Sequence, residues 1–299
     1  MKKLLLVVNP CSGQKKAKRY LADIVDVFNR ADFDATVYIT ASRGDATRLC
    51  AERAGEFDRV VCSGGDGTFN EVLSGVLQSG AEAPIGYLPS GSTNDFANSL
   101  HLSKDLLQAA RDAATGVPIP FDVGRFNDRY FSYIASFGAF TRASYATSQS
   151  LKNALGHLAY LLAGIKEIPA ICSRRLRFTL PDGTAYEDDY IFGAVSNSTS
   201  VAGVLTLDPS IVDMADGKFE LLLIRKPKNL LELNDCVLAL ATQEYNTPML
   251  TLVPVQQVCV TAPEDMAWTL DGERADGRTE CTIENLHHAV SVLLPEGSV

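Results

Sequence analysis

Val60-Val-Cys-Ser-Gly-Gly-Asp-Gly-Thr-Phe-Asn-Glu71 decides the fold. A short β-branched run enters three glycines, and a helical apolar pattern at 70–78 leaves them. Gly64, Gly65 and Gly67 tolerate positive φ and close approach to the backbone, so successive N–H groups can face a phosphate. Asp66, inside the loop, would repel bare phosphate but suits a loop that also holds Mg²⁺. The plainer reading is an ordinary strand-to-helix turn, which three glycines in this context make the weaker one.

The loop has two companions. Asn9-Pro-Cys-Ser-Gly13 follows the apolar run at 4–8 and leads into a Lys/Arg-rich helical pattern at 15–30. Pro89-Ser-Gly-Ser-Thr-Asn-Asp-Phe-Ala97 follows the run at 85–88 and leads into a helix from Asp95. With further runs at 36–39 and 60–62 and a helical pattern at 45–54, the first 120 residues alternate strand and helix. That predicts βαβ units and a parallel sheet covered by helices, with ligand loops beyond the carboxyl ends of the strands. Three phosphate-competent loops at one sheet edge make a nucleotide site. They match neither G-x-x-x-x-G-K-[ST] nor G-x-G-x-x-G, so a Walker loop and a dinucleotide fingerprint are excluded. Lys15, Lys16, Lys18 and Arg19 either add positive charge beside the phosphates or form a solvated helix face.

From Phe121 the texture changes to Phe/Tyr-rich short runs and Asp-Gly turns, with strands expected at 176–180, 190–195, 219–224, 250–253 and 258–261. This predicts a second, β-rich domain built as an antiparallel sandwich or barrel. Two helices interrupt it, at 151–168 and at 230–242, the latter with Asn229 as N-cap. The boundary is expected near Gly116-Val-Pro-Ile-Pro120.

Composition narrows the partners. A chain of 299 residues that is 46% hydrophobic is too apolar for a disordered protein and long enough for two cores. The formal net charge of −9 has the wrong sign for coating nucleic acid, so an anionic ligand must be held locally. Seven cysteines without a C-x-x-C pair indicate free thiols in a reducing cytoplasm rather than disulfides or a zinc knuckle. The apolar run at 4–8 stops at Asn9-Pro10 and reads as a first strand, not a signal peptide. No apolar stretch approaches the roughly 20 residues that span a bilayer.

Asn-Pro-x-Ser-Gly at 9–13, Gly-Gly-Asp-Gly-Thr at 64–68, Pro-x-Gly-x-x-Asn-Asp-Phe-Ala at 89–97, Leu-Lys-x-x-Leu-Gly-x-Leu-Ala-Tyr at 151–160, Asp-Gly-Lys-Phe at 216–219 and Leu-Asp-Gly-Glu at 270–273 occur in that order. With these motifs the chain resembles, nearly end to end, the diacylglycerol kinase catalytic-domain family in its bacterial soluble form. The resemblance implies an α/β domain at 1–120 that holds ATP and regains a strand from 290–299, and a β-rich lipid-binding domain at 121–289. It implies transfer of the ATP γ-phosphate to the hydroxyl of diacylglycerol or a related lipid, giving phosphatidic acid.

On the same resemblance the nucleotide is met by Asn9, Pro10, Ser12, Gly13, Thr40, Gly64, Gly65, Asp66, Gly67, Thr68, Asn70, Glu71, Gly91, Ser92, Thr93, Asn94 and Asp95. Two departures stand out. The family's Gly-Thr pair is Gly91-Ser92 here, followed by Thr93, and either hydroxyl can serve a phosphate. Its Gly-His-Ala is Gly44-Asp45-Ala46, so any contact by that His is absent.

Phosphoryl transfer to an alcohol needs an in-line hydroxyl, neutralised charge and a carboxylate that orients the hydroxyl and takes its proton. Asp271 and Glu273 offer carboxylates that would share a face if they closed a strand. Asp-Gly occurs five times in the chain and commonly marks hairpins, so spacing alone leaves turn and catalytic readings even. The resemblance favours Glu273 as base with Asp271 as its partner. It also matches Asp213, Asp216 and Lys218 to a structural Mg²⁺ site, against the alternative of another turn before a strand.

Two other functions fit parts of the pattern: a NAD kinase-like phosphotransferase, and a non-catalytic lipid- or nucleotide-binding regulator. The expected partners are a lipid substrate and no nucleic acid, with a homodimer as a candidate assembly. The expected location is cytoplasmic, in peripheral contact with the inner face of the membrane.

Overall fold

The computed structural model describes residues 1–13, 16–138, 172–198, 200–201, 205–207, 212–263 and 266–297. They form two compact units, Met1–Asp122 with His288–Val299, and Val123–His287.

The first unit alternates as β1 (Lys2–Val8), α1 (Lys16–Arg19), α2 (Leu21–Arg30), β2 (Phe33–Ile39), α3 (Asp45–Arg53), β3 (Arg59–Gly64), α4 (Asp66–Ser79), β4 (Ile85–Pro89), α5 (Asp95–Ser99) and α6 (Leu106–Thr115). Its strands are parallel in the order β4-β3-β1-β2. Leu4, Leu5, Leu6, Val7 and Val8 are all buried. An unbroken apolar run is what a strand covered on both faces requires. Leu4, Leu6 and Val8 join Ile24 and Phe28 of α2 and Ala109 and Ala113 of α6 in one core cluster. The helix expected at 15–30 is broken at Tyr20, which sits at φ −98 and ψ 9 between α1 and α2.

Helix α6 is closed at both ends by side chains. Asp105 accepts from the Gln108 N–H at 2.8 Å, and the Arg59 guanidinium donates to the carbonyls of Ala113 and Ala114 at 2.5 and 2.9 Å. The sheet is completed from the far end of the chain, where Val292 pairs in parallel with Ile85.

The chain enters the second unit along β5 (Val117–Phe126). There follow β6 (Arg129–Phe131), β7 (Ile134–Gly138), β8 (Arg174–Thr179), β9 (Ala185–Ser196), β10 (Ser200–Val201), β11 (Leu205–Thr206), β12 (Phe219–Arg225), α7 (Leu230–Thr242), β13 (Leu250–Val255), β14 (Gln257–Thr261), β15 (Trp268–Leu270), β16 (Glu273–Ala275) and β17 (Glu280–Leu294). Antiparallel pairing gives the order β16-β15-β7-β9-β8-β14-β17, with β12 between β9 and β13. Trp268 packs between Phe126 and Phe137 at centroid distances of 5.2 and 5.0 Å, in a core that also takes Phe131, Phe178 and Phe219. Asn229 caps α7, accepting from the Glu232 N–H at 2.9 Å. The helix expected at 151–168, with its Leu-Lys-x-x-Leu-Gly motif, lies outside the described residues.

Candidate active site

The three glycine loops meet at the carboxyl ends of β1, β3 and β4. Backbone bonds join them first: Asn9 N–H donates to the Ser63 carbonyl at 2.9 Å, and Ser90 N–H to the Gly64 carbonyl at 2.8 Å. Side chains add to this, with Asn9 Nδ2 donating to Thr68 Oγ1 at 2.9 Å while Asn9 Oδ1 accepts from Cys11 N–H at 2.9 Å. Ser12 Oγ closes the first loop by donating to the Asn9 carbonyl at 3.2 Å, after the turn at Pro10. Glycine is required where the loops touch. Gly13 is at φ +49 with its Cα facing the Ser90 carbonyl, and a Cβ on Gly91 would stand 2.6 Å from Gly65 Cα. A Cβ on Gly64 would likewise overlap the Thr68 side chain.

Asp66 opens α4, followed by Gly67. Its carboxylate accepts from Asp95 N–H at 3.0 Å and Phe96 N–H at 3.3 Å, so a group expected near the nucleotide also ties the second loop to the third. Asn94, at φ +54, closes the third loop, accepting from Gly91 N–H at 2.9 Å and donating to the Gly91 carbonyl at 3.0 Å. The Tyr87 hydroxyl donates to Asn94 Oδ1 at 3.3 Å. Burial, reinforced by the Asp66 charge, raises this hydroxyl well above its ordinary range and keeps it a neutral donor.

The remaining expected residues divide. Thr40 lies against β1, its N–H donating to the Val8 carbonyl at 2.9 Å, and the Ser92 and Thr93 side chains are exposed at the third loop's tip. Asn70 accepts from Ser74 Oγ at 3.5 Å. Glu71 turns its carboxylate to the start of α3, accepting from Gly44 N–H at 2.9 Å and Ala46 N–H at 3.3 Å. Asp45 accepts from Ala41 and Ser42 N–H at 2.8 and 2.9 Å and so shapes the loop after β2.

In the second unit the expectation that Asp271 and Glu273 share a strand face is corrected. Asp271 and Gly272, at φ 47 and 83, are the two-residue turn of a hairpin in which Leu270 pairs with Glu273. Positive φ at both central residues is the geometry that favours Asp-Gly in such hairpins. The Asp271 carboxylate is buried and accepts from Ser132 N–H at 2.5 Å, Ser132 Oγ at 2.8 Å, Tyr133 N–H at 3.0 Å and Ile134 N–H at 3.1 Å. Burial pushes its pKa up, and these donors act against that rise. Glu273, by contrast, is partly exposed and lies 3.7 Å from the Arg129 guanidinium, a loose pair worth little by itself.

Asp213 and Asp216 occupy a tight turn before β12. Each carboxylate accepts one local N–H, from Ala215 at 3.0 Å and from Lys218 at 2.8 Å, and Gly217 adopts φ +79. Glu220, two residues on, is buried, and one of its carboxylate oxygens finds no protein donor. Burial, aided by the charges of Asp216 and Asp213, pushes it up to about 8. Sequence reasoning passed over Glu220 because it sits inside an apolar strand, and Tyr87 because Ile85-Gly-Tyr-Leu-Pro89 reads as core.

Comparison with known proteins places this geometry. The model of the diacylglycerol kinase catalytic domain matches residues 3–126. A diacylglycerol kinase of Bacillus subtilis (strain 168) is 33% identical over 299 residues, covering 99% of this chain and 97% of that one. One from Staphylococcus carnosus (strain TM300) is 31% identical over 298 residues, covering 99% and 96%. The crystal structure of a diacylglycerol kinase from Bacillus anthracis str. Sterne superposes with a TM-score of 0.76 at 23% identity, covering 100% and 98%, and so shares the fold. Fold and loops thus define the class as kinases built on this catalytic domain. The chain belongs to the diacylglycerol kinase family.

Proposed function

We propose that the protein transfers the γ-phosphate of ATP to the hydroxyl of diacylglycerol or a closely related lipid, forming phosphatidic acid. One observation carries the nucleotide half of this reading: three glycine-bearing loops interlocked at the carboxyl edge of one parallel sheet. There, backbone N–H groups can approach phosphate oxygens without an intervening Cβ, and the amino terminus of α4 adds a favourable dipole. The acceptor half is supported by relatives that match over nearly their whole length and are named for diacylglycerol. That breadth favours a lipid acceptor over NAD, which the Gly-Gly-Asp-Gly loop alone leaves open.

Glu273 is the carboxylate assigned to the acceptor hydroxyl. It keeps solvent access, whereas Asp271 is consumed in holding residues 132–134 and acts as its structural support. In a loose phosphoryl-transfer transition state the proton leaves late, so Glu273's main contribution is to orient the hydroxyl. Asp213 and Asp216 fit Mg²⁺: they are hard oxygen donors on one tight turn, and their negative field, felt at Glu220, is one a dication would relieve. With a backbone oxygen near Lys218 they would hold the ion, which supplies charge neutralisation and stiffness to the turn.

The proposed acceptor lives in bilayers, so the enzyme works at a membrane surface that it meets peripherally. Among the described residues no helix is long and apolar enough to cross one. An ATP-consumption panel with diacylglycerol, monoacylglycerol, sphingosine, undecaprenol and NAD as acceptors tests the reading. Turnover should be greatest with diacylglycerol and give phosphatidic acid. Turnover with NAD alone, or with none of the lipids, overturns it.

A further inference from the structure

β2 is the last strand of the first unit's parallel sheet, and among the described residues no strand pairs with its far side. The bonds that bracket β2 decide which of its residues face that open side. Lys2 N–H donates to the Asp32 carbonyl at 3.1 Å and Thr40 N–H to the Val8 carbonyl at 2.9 Å, and the register between them runs from Lys2 opposite Phe33 to Val8 opposite Ile39. Successive residues of a strand turn their N–H and C=O to opposite sides, so Asp34, Thr36 and Tyr38 bond to β1 as Asp32 and Thr40 do. Phe33, Ala35, Val37 and Ile39 direct theirs to the open side. Folded chains protect such an edge with lysine, proline, a bulge or a very short strand. Phe33-Asp-Ala-Thr-Val-Tyr-Ile39 has no lysine or proline, pairs in unbroken register and is seven residues long. Two of its outward-facing residues, Val37 and Ile39, also leave 36% and 51% of their apolar surface exposed.

We propose that β2 pairs antiparallel with β2 of a second copy of this chain, forming a two-fold dimer. The strand is self-complementary. About an axis at Thr36, Phe33 meets Ile39 and Ala35 meets Val37, so every outward-facing residue exchanges its N–H and C=O with one of the other copy. An axis at Ala35 or Val37 would leave an end residue unmatched. Charge agrees with the Thr36 axis. Asp34, the one charged side chain on β2, then falls opposite Tyr38, and the two Asp34 carboxylates stand about 13 Å apart along the strands, beyond the screening length of physiological salt. Val37 and Ile39 lose exposed apolar surface in the pairing. The dimer consumes the edge, which closes the assembly at two copies. One strand pair is smaller than the standard interface of roughly 1,600 Å², so the dimer should be weak, parting at roughly micromolar concentration.

Sedimentation velocity across roughly 1 to 200 μM tests the dimer, and the wild type is expected to pass from monomer to dimer within that range. Val37→Pro removes an N–H that bonds to nothing within the monomer's sheet. Ile39→Lys adds a charge that stays solvated in the monomer but opposes edge pairing. Both variants should remain monomeric at the highest concentration, and at the lowest they should melt close to wild type. If the proline variant does not fold, Ile39→Lys decides. Cross-linking tests the axis. Two residues at position 36 would form a non-hydrogen-bonded pair with Cα atoms roughly 4.5 Å apart, within disulfide reach. Diamide oxidation should therefore give Thr36→Cys more covalent dimer than the wild type, whose own cysteines set the background. Asp34→Cys, about 13 Å from its counterpart, should give no more than that background. A wild type that stays monomeric overturns the inference and leaves an extended segment of another protein as the occupant of the edge. Dimerisation of Ile39→Lys equal to wild type overturns it too, as does a Thr36→Cys protein that cross-links no better than Asp34→Cys.

Discussion

Replacing Gly91 with Ala is the sharpest perturbation of the loop cluster. The added Cβ would lie 2.6 Å from Gly65 Cα and 2.6 Å from Asn94 Oδ1. Carbon atoms rest at roughly 3.5–4.0 Å, so the two loops must part by about 1 Å. The Gly91 N–H to Asn94 Oδ1 bond of 2.9 Å and the return bond of 3.0 Å span the turn that moves. A displacement of about 1 Å takes both beyond hydrogen-bond reach, at about 1 kcal/mol each. Those two bonds are lost with or without nucleotide and so lower stability, whereas misplacement of the phosphate-facing N–H groups weakens binding by a comparable amount, roughly 2 kcal/mol, or about thirtyfold in affinity. Calorimetric titration with Mg·ATP, alongside a melting curve to establish folding, measures it. Gly183→Ala is the control: its φ is positive, at +88, but nothing lies within 4 Å of its Cβ position, so it should lower stability by about 1 kcal/mol through the backbone alone and leave nucleotide affinity unchanged. A folded Gly91→Ala protein that binds Mg·ATP within about twofold of wild type refutes the reasoning, because the required displacement is then tolerated without loss.

The two acids of the hairpin should separate in opposite ways. Glu273→Gln is expected to lower kcat by about 10²- to 10⁴-fold at unchanged melting temperature, whereas Asp271→Asn, which sets an amide against backbone donors, should cost roughly 2–4 kcal/mol of stability; a near-normal kcat for the first or a wild-type melt for the second rejects the respective role. Glu220 has a folded pKa of about 8 against 4.5 in the unfolded chain, so the unfolded state releases a proton that the folded state keeps, and stability should fall as pH rises from 4.5 to 8. In metal-free protein, Glu220→Gln should therefore gain on wild type by roughly 3 kcal/mol between pH 5 and 8, and a pH-independent difference in denaturant titrations contradicts the buried proton. Asp216→Ala should abolish the rise in melting temperature that Mg²⁺ gives the wild type; an intact rise removes Asp216 from the metal site.

Much of the first unit was legible because its signals are local. The runs at 4–8, 60–62 and 85–88 are strands covered on both faces, whereas the returning strand expected from 290–299 has no local signal and follows from the resemblance alone; Val292 lies beside Ile85 of β4. Helix α4 starts at Asp66 rather than near Asn70, since a glycine-rich stretch reads as loop even when an acidic residue at the first turn favours helix. The Asp-Gly at 271–272 shows the limit of spacing. Spacing sets turn against function, yet the pair is a hairpin turn whose carboxylate is itself put to use. Its partners at 132–134 lie far away in sequence, where no periodicity connects them. Tyr87 and Glu220 were illegible for a related reason: a polar atom at the end of a buried side chain leaves no trace in a hydrophobic pattern.

The parallel pairing of Val292 with Ile85 joins residues about 200 positions apart, and it has a temporal meaning. Closing so long a loop costs on the order of 5 kcal/mol of chain entropy. During synthesis the glycine loops emerge early, but the flank of β4 stays bare until the second unit has left the ribosome. Until then that strand is an open edge able to pair with another nascent chain. A fragment cut to residues 3–126, the span matched by the catalytic-domain model, would keep every glycine loop and lose that closing strand. Competence to bind nucleotide should therefore appear late and abruptly on the translating ribosome, as the final strand docks, rather than growing as each loop is made.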